Sequence, residues 1–338
     1  MLMESIIAIN LPHFRIHQMS LRKDKILVTG ACGQLGSELV EELWKIYGEG
    51  QVLATDLIDP KSEILKSGPF EKINVLDKEG LGQLVNRFQP TQIYHLAAIL
   101  SAAAERNPAL AWDVNIAGFM NVLDVAKSAN EKVHKVYSPS SIAAFGPHTP
   151  KKPTPQHTIT DPTTVYGITK LVGERLADYY FLHFGLDVRS IRYPGLISYK
   201  TAPGGGTTDY AVDIFYKVIQ NKSFTSFLGP DTALPMMYMP DALRGTLELM
   251  EADASNITIR SAYNLNAMSF TPQQLADEIK KQFGDFELKY ETDFRQQIAD
   301  SWPNDLDDSV ARQDWGWKHK FGLEEMVADM LKNVAILV

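Results

Sequence analysis

Tyr166-Gly167-Ile168-Thr169-Lys170 sets a phenol and an ammonium four residues apart, which on a helix puts them on one face. A cation beside a phenol favours the phenolate and lowers its pKa from about 10. A tyrosine so placed can exchange protons near neutrality as a general acid or base. The spacing alone is weak, since chance supplies roughly one Tyr-x-x-x-Lys in a chain with this many tyrosines and lysines. Its surroundings give it meaning. Ser140 and Ser141 lie in Pro139-Ser140-Ser141-Ile142-Ala143-Ala144-Phe145-Gly146, just after an apolar run ending near Ser138. A hydroxyl at the carboxyl end of a parallel strand points into the crevice where α/β sheets bind ligands.

A second constellation suits a dinucleotide. Ile26-Leu27-Val28-Thr29 feeds Gly30-Ala31-Cys32-Gly33-Gln34-Leu35-Gly36 and then a helical pattern. Glycines at this spacing permit a tight turn, close approach of the backbone to a pyrophosphate, and tight helix–strand packing. The helix N-terminus offers its N–H groups to the phosphates. Asp56 ends the next strand, twenty residues after Gly36. A carboxylate there can hold both hydroxyls of an adenosine ribose and repel a 2′-phosphate. Leu57 and Ile58 follow, with no Arg or Lys before Lys61, so the pattern favours NAD over NADP. Cys32, the only cysteine, lies in this loop; it is taken as a small packing residue rather than a reactive thiol.

Holding these groups in place calls for a parallel sheet. Short β-branched runs at Lys25–Thr29, Gln51–Thr55, Glu71–Val75, Gln92–Leu96, Val133–Ser138 and Asp187–Tyr193 alternate with helical patterns at Leu35–Ile46, Leu81–Phe88, Ala109–Ala129 and Val165–Phe184. That alternation predicts an α/β fold, a doubly wound parallel Rossmann sheet with helices on both faces. In the Val165–Phe184 stretch, Ile168, Leu171, Val172, Leu176, Tyr179 and Leu182 share one side. After Tyr193 the texture changes to a Pro203-Gly204-Gly205-Gly206 loop, a helical stretch Ala211–Gln220 and a Pro- and Met-rich segment up to Pro240. Further helices start near Asp241 and at Thr271-Pro272-Gln273-Gln274, where Thr271 and Gln274 can form a capping box. The division expected is a dinucleotide-binding domain over 24–195, with 236–258 returning to it, and a smaller, discontinuous α/β substrate lobe from 196–235 and 259–338.

Composition bounds the partners. The 338 residues are 45% apolar and 22% charged, as in ordinary globular proteins, which excludes disorder. A net charge of −8 argues against a nucleic-acid partner. No apolar run approaches the length of a membrane span: the longest, Ile93–Ala104, is interrupted by His95 and Ser101. No metal site is expected. Residues 1–23 are taken as an extended or disordered leader, with the protein cytoplasmic; were they a presequence, the mitochondrial matrix would be the compartment.

With Leu96-Ala97-Ala98 after the fourth strand, Asn115 in Val114-Asn115-x-x-Gly118, and Arg192-Tyr193-Pro194-Gly195 after the sixth, the chain resembles the extended short-chain dehydrogenase/reductase family over about Lys25 to Trp317. The resemblance implies that Ser141, Tyr166 and Lys170 form the catalytic set and that Asn115 supports the active-site helix. It also implies an NAD site drawn from Gly30, Gly33, Gln34, Leu35, Gly36, Asp56, Leu57, Asp77, Leu96, Ala97, Ala98, Asn115, Tyr166, Lys170 and Tyr193. Family members commonly dimerise through a bundle of the Ala109–Ala129 and Val165–Phe184 helices, so a homodimer is expected.

The substrate lobe separates branches of that family. Dehydratases carry an acidic residue just after the catalytic hydroxyl, where this chain has Ile142 and Ala143. Nucleotide-sugar 4-epimerases, the competing assignment, need cations for a diphosphate, and Gly204–Pro240 offers only Lys217 and Lys222. A dinucleotide-sensing regulator without turnover would tend to lose the tyrosine or the lysine. The segments Pro203–Tyr210, Phe227–Ala242 and Ala98–Ala102 resemble the short-chain L-threonine 3-dehydrogenases. This resemblance implies NAD-dependent oxidation of the C3 hydroxyl of L-threonine to 2-amino-3-oxobutyrate, with Tyr166 as the base. Ser101, Ser140, Ser141, Tyr166, Thr207 and Thr208 are the substrate-binding candidates, and Pro203–Thr208 is expected to act as a lid.

Overall fold

The computed structural model describes residues 24–129 and 132–338; the leader assigned to residues 1–23 lies outside them. Numbered along the chain, β1 (Ile26–Thr29), β2 (Val52–Asp56), β3 (Phe70–Lys72), β4 (Gln92–His95), β5 (Lys135–Tyr137) and β7 (Asp187–Arg189) form one parallel sheet in the order β3-β2-β1-β4-β5-β7. This is the doubly wound order in which ligands bind at the carboxyl ends of the strands, where the order reverses between β1 and β4. Ile26 pairs with Val52 on one side and Gln92 on the other, and all four residues of β1 are buried. An uninterrupted Ile-Leu-Val-Thr run is what a strand covered on both faces needs.

The sheet bends rather than ends at Pro139, which has no N–H to give the ladder. Beyond it, β6 (Ser140–Ser141), β8 (Ile191–Tyr193) and β12 (Tyr263–Asn264) pair in parallel in the order β12-β8-β6. Ser138 N donates to Arg189 O at 3.1 Å and Tyr263 N to Ser190 O at 2.9 Å, carrying the ladder through the bend. The bend leaves the Ser140–Ser141 backbone at the mouth of the crevice.

The second lobe holds β9 (Gly195–Ile197), β11 (Leu234–Tyr238) and β13 (Met268–Phe270) in one small sheet, and a parallel pair, β10 (Ser223–Ser226) and β14 (Glu287–Tyr290). Its core gathers Tyr210, Phe215, Val218, Phe224, Leu275, Ile279, Met326 and Met330. The Met239–Glu251 helix packs instead against the Gln34–Tyr47 helix, in a core shared with β1 and β2. Thr271 and Gln274 close the expected capping box at the start of the Pro272–Phe283 helix.

Two local expectations are corrected. The third strand ends at Lys72, because Asn74 makes a turn, its Oδ1 accepting from Leu76 N at 3.0 Å. The stretch expected as one helix over Ala109–Ala129 is Pro108–Trp112, one π turn at Asp113–Gly118, and Phe119–Ser128. The apolar stripe of the Val165–Phe184 helix faces outward, with Ile168, Tyr179 and Leu182 exposed, while Gly167, Thr169, Glu174 and Ala177 face the fold. Among the described residues no helix is long and apolar enough to cross a membrane, and no group of three His, Cys, Asp or Glu could hold a metal ion.

Candidate active site

Gly30 sits at φ +74°, and a Cβ there would lie 2.4 Å from Ala97 N and 2.6 Å from the Leu96 carbonyl carbon. A Cβ on Gly36 would lie 2.3 Å from Gly30 O. These two glycines therefore press the loop after β1 onto the loop after β4 and the Gln34–Tyr47 helix onto its strand. Gly33 caps that helix without a side chain, and no acidic residue occupies the first turn. The N–H groups of Gln34, Leu35 and Gly36 have no intrahelical carbonyl to reach and carry the helix's partial positive charge. Asp56 braces the turn: Oδ2 accepts from Cys32 N at 2.9 Å and Oδ1 from Ile58 N at 3.2 Å. The carboxylate also helps burial push the Cys32 thiol up to about 11, leaving it unreactive.

The Val165–Phe184 helix begins with Thr164 accepting from Gly167 N at 3.1 Å. Gly167 brings this helix against the serine turn, since a Cβ there would lie 2.1 Å from Ala143 O. That contact sets Ser141 and Tyr166 on the same wall of a cleft. Ser141 Oγ also accepts from Ala143 N at 3.2 Å. The Lys170 ammonium lies 5.5 Å from the Tyr166 ring centre and donates to Pro139 O at 2.7 Å. The expected lowering of the tyrosine by its lysine is overturned. Burial pushes Tyr166 up to about 12, with the Ser141 hydroxyl acting the other way, and pushes Lys170 down to about 8. Neither group faces enough water to charge easily.

Asn115 ties this helix to the β4 loop. Its Oδ1 accepts from Ile99 N at 2.8 Å, and Nδ2 donates to Ile99 O at 3.1 Å and Thr169 Oγ1 at 3.0 Å. The π turn rotates Asn115 inward to do this.

A cleft of about 490 Å³ between the lobes gathers Gly30, Gly33, Gln34, Leu35, Gly36, Leu96, Ala98, Ser101, Ser140, Ser141, Tyr166, Lys170, Tyr193, Thr207 and Thr208 on one surface. Asp56, Leu57, Asp77, Ala97 and Asn115 lie off that surface. Asp77 caps the Lys78–Phe88 helix, accepting from Gly80 N at 2.9 Å. Two of the lining hydroxyls point elsewhere. Ser140 Oγ donates to Glu174 at 2.6 Å, and the Tyr193 hydroxyl accepts from Tyr137 at 2.7 Å and pairs with Thr246. Thr208 approaches β9 only because Gly195 lacks a side chain, as a Cβ there would lie 2.7 Å from Thr208 Cβ.

The sequence model of the NAD-dependent epimerase/dehydratase family matches residues 26–265. The chain belongs to the NAD-dependent epimerase/dehydratase family. An uncharacterized epimerase/dehydratase of Staphylococcus haemolyticus is 48% identical over 313 residues, covering 92% of this chain and 98% of the relative. A solved GalE-like L-threonine dehydrogenase from Cupriavidus necator, in its holo form, is 51% identical with a TM-score of 0.88, covering 91% of this chain and 99% of its own. A monomeric L-threonine 3-dehydrogenase from a metagenome is 48% identical with a TM-score of 0.88, covering 92% of this chain and 99% of its own.

NAD is the cofactor of this epimerase/dehydratase family member, and the loop after β1 fits it. The close backbone approach at Gly30 and Gly36, the uncapped first turn at Gly33 and the carboxylate at the end of β2 are the features a dinucleotide needs. Leu57 and Ile58 are 63% and 52% exposed beside Asp56. Arg106, Trp302 and Asp209 also line the epimerase/dehydratase cleft and escaped the sequence reading. Trp302 arrives from the far end of the chain, and no local pattern marks it. Asp209 Oδ2 accepts from Gly205 N and Gly206 N, both at 2.8 Å, and so shapes the glycine loop.

Proposed function

We propose that the protein oxidises the C3 hydroxyl of L-threonine to 2-amino-3-oxobutyrate. The reading is carried by one observation. The Ser141–Tyr166–Lys170 group shares a single cleft with Ser101, Thr207 and Thr208 in a chain about half identical, over nearly its whole length, to L-threonine dehydrogenases. Tyr166 takes the hydroxyl proton, Ser141 holds the hydroxyl, and Lys170 stands beside the phenol to receive or stabilise charge. NAD, when bound, accepts the hydride that leaves C3 as the carbonyl forms. Ser101, Thr207 and Thr208 meet the amine and carboxylate of a small zwitterion, which needs a few placed polar groups rather than a charged cleft. The loop at Pro203–Thr208, with Gly205 at φ +93°, closes over the substrate and excludes water. Asp56, Leu57 and Asp77 hold the adenosine half, and Asp56 selects against a 2′-phosphate.

The test is NADH formation by the purified protein with L-threonine, which a Tyr166→Phe variant should lose. Turnover of a UDP-sugar without threonine oxidation would overturn the assignment in favour of a nucleotide-sugar epimerase. A homodimer is proposed on the same helices: Leu110, Trp112, Met120, Ile168, Tyr179 and Leu182 form exposed apolar surface on them.

A further inference from the structure

Behind the serine turn lies a buried charge pair that takes no part in the chemistry above. Glu174 stands one helical turn beyond Lys170, and its side chain is fully buried. Its Oε1 accepts from Ser140 Oγ at 2.6 Å and Arg192 Nε at 2.8 Å, and its Oε2 accepts from Arg192 Nη2 at 2.7 Å. Arg192, in β8, donates from Nη1 to Gln156 O and to Asn264 Oδ1, each at 3.1 Å. Both carboxylate oxygens and all three guanidinium nitrogens are thus satisfied, the condition under which a buried pair is tolerated.

Two neighbours connect this pair to the site. Ser140 adjoins Ser141, and Lys170 is four residues before Glu174 on the same helix face. Lys170 and Glu174 also share the wall of a cavity of about 30 Å³, room for about one or two waters, so the field between them is poorly screened. The other titratable groups facing the lysine are Tyr166 on its own helix and His95 of β4, which burial holds neutral. Arg192 of β8 faces Glu174, and the exposed Arg175 of its own helix reaches within 4.0 Å of Glu174 Oε2.

We propose that Glu174, anchored by Arg192, is a positioning residue: its fixed charge keeps Lys170 an ammonium, and its bond to Ser140 sets the turn that presents Ser141 to Tyr166. The inference rests on the reading of Tyr166 and Lys170 as the proton-handling pair. Burial pushes the lysine down, and Glu174 pulls it back up. Removing that carboxylate leaves Arg192 uncompensated and makes the local potential more positive. A positive potential favours loss of a proton from both lysine and tyrosine.

The experiment compares the wild-type chain with Glu174→Gln, Glu174→Asp and Ser140→Ala. Carbon-13 NMR of the Lys170 Cε follows loss of the ammonium proton, with Lys170→Met as the baseline, and needs no substrate. The Lys170 titration should fall by about one pH unit in Glu174→Gln and by less than about half a unit in Glu174→Asp. The acid limb of kcat/KM for L-threonine should move with it, whereas Ser140→Ala should lower kcat and leave the limb in place. If Glu174→Gln does not fold, the double variant Glu174→Gln, Arg192→Gln leaves no unpaired ion; its shift should be smaller than the single variant's, because the Arg192 charge goes too, but still downward, since Glu174 is the charge that acts on Lys170. An unmoved titration refutes the proposal, as does lost activity with an unmoved limb, which would make Glu174 structural only. If the wild type does not oxidise threonine, the substrate assignment fails while the Lys170 titration still decides this one.

Discussion

Lys170→Met isolates what the lysine contributes to proton removal. Tyr166 by itself is a poor base, pushed by burial up to about 12, with the Ser141 hydroxyl as the group acting against that rise. Lys170 is pushed down to about 8. The ammonium lies 5.5 Å from the phenol ring centre, and of the two groups the lysine gives up its proton first, near the lower value. The wild-type site can therefore accept a proton from about pH 8 upward. Without the amine only the phenol is left, about four pH units higher, and each unit is a factor of ten. At about pH 8 the accepting form should fall by about 10⁴-fold. Methionine replaces the buried alkyl stem and removes only the amine's bond to Pro139 O, so the fold should survive. The assay is kcat/KM for L-threonine by NADH absorbance between about pH 6 and about pH 10, with a thermal melt as the folding control. The wild type should climb and level off near about pH 8, whereas the variant should climb with unit slope and no plateau. A plateau kept near that pH, or a loss smaller than about tenfold, refutes the reasoning.

Other perturbations read other parts of the structure. Asp56→Asn should weaken NAD binding by about tenfold and narrow the preference over NADP, because a charged acceptor is worth about 1.5–3 kcal/mol; calorimetric titration with both cofactors checks it, and an unchanged ratio counts against the ribose assignment. Gly30→Ala should lower stability by about 2–4 kcal/mol in urea unfolding, from the cost of φ > 0 and overpacking against the Ala97 backbone; a change below about 1 kcal/mol would mean the loops separate freely. His95 is buried, bonded to Thr29 Oγ1 at 2.8 Å, and held at about 3 against an ordinary 6.5. Its folded-state pKa is depressed, so the stability it contributes is complete above pH 6.5 and is lost as pH falls toward about 3, at up to about 1.4 kcal/mol per unit. His95→Gln should flatten that part of the stability–pH curve, and equal slopes would show that the native histidine protonates. Leu182, 76% exposed, should tolerate Glu without loss of melting temperature while shifting sedimentation toward monomer; an unmoved sedimentation profile would place the assembly face elsewhere.

What was legible in the sequence was local. The glycine loop could be read because strand, turn and helix follow one another within Ile26–Tyr47. The Val165–Phe184 helix and the Thr271 capping box depend on near neighbours and appear where expected. The direction of an apolar stripe is not local. Ile168, Tyr179 and Leu182 were legible as one side of a helix, but only the packing of Gly167 against Ala143 and of Glu174 against Arg192 shows that this side points away from the sheet. For the same reason a tyrosine–lysine spacing could not report the phenol's pKa, which depends on burial contributed by distant segments. Trp302 reaches the cleft through tertiary folding alone.

The two walls of the cleft are built by different means, and that difference bears on how the site works. The wall that carries Ser141, Tyr166 and Lys170 is fixed by backbone approaching backbone: Gly30 against Ala97, Gly36 against Gly30, and Gly167 against Ala143, each closer than any Cβ would allow. Asn115 and Lys170 then bond to main-chain carbonyls at Ile99 and Pro139, and Asn115 also to the buried Thr169 hydroxyl. Geometry set this way changes little when surface residues change, as proton transfer requires of groups held within hydrogen-bond reach. The facing wall is a loop through Pro203, Gly204, Gly205 and Gly206, shaped by one carboxylate, Asp209, and ending in the hydroxyls of Thr207 and Thr208. Glycines there leave many backbone states to lose on closure. Selectivity drawn from that wall is therefore purchased with ordering entropy, and substitutions in Pro203–Asp209 should change KM and substrate preference before they change the pH dependence set by Tyr166 and Lys170.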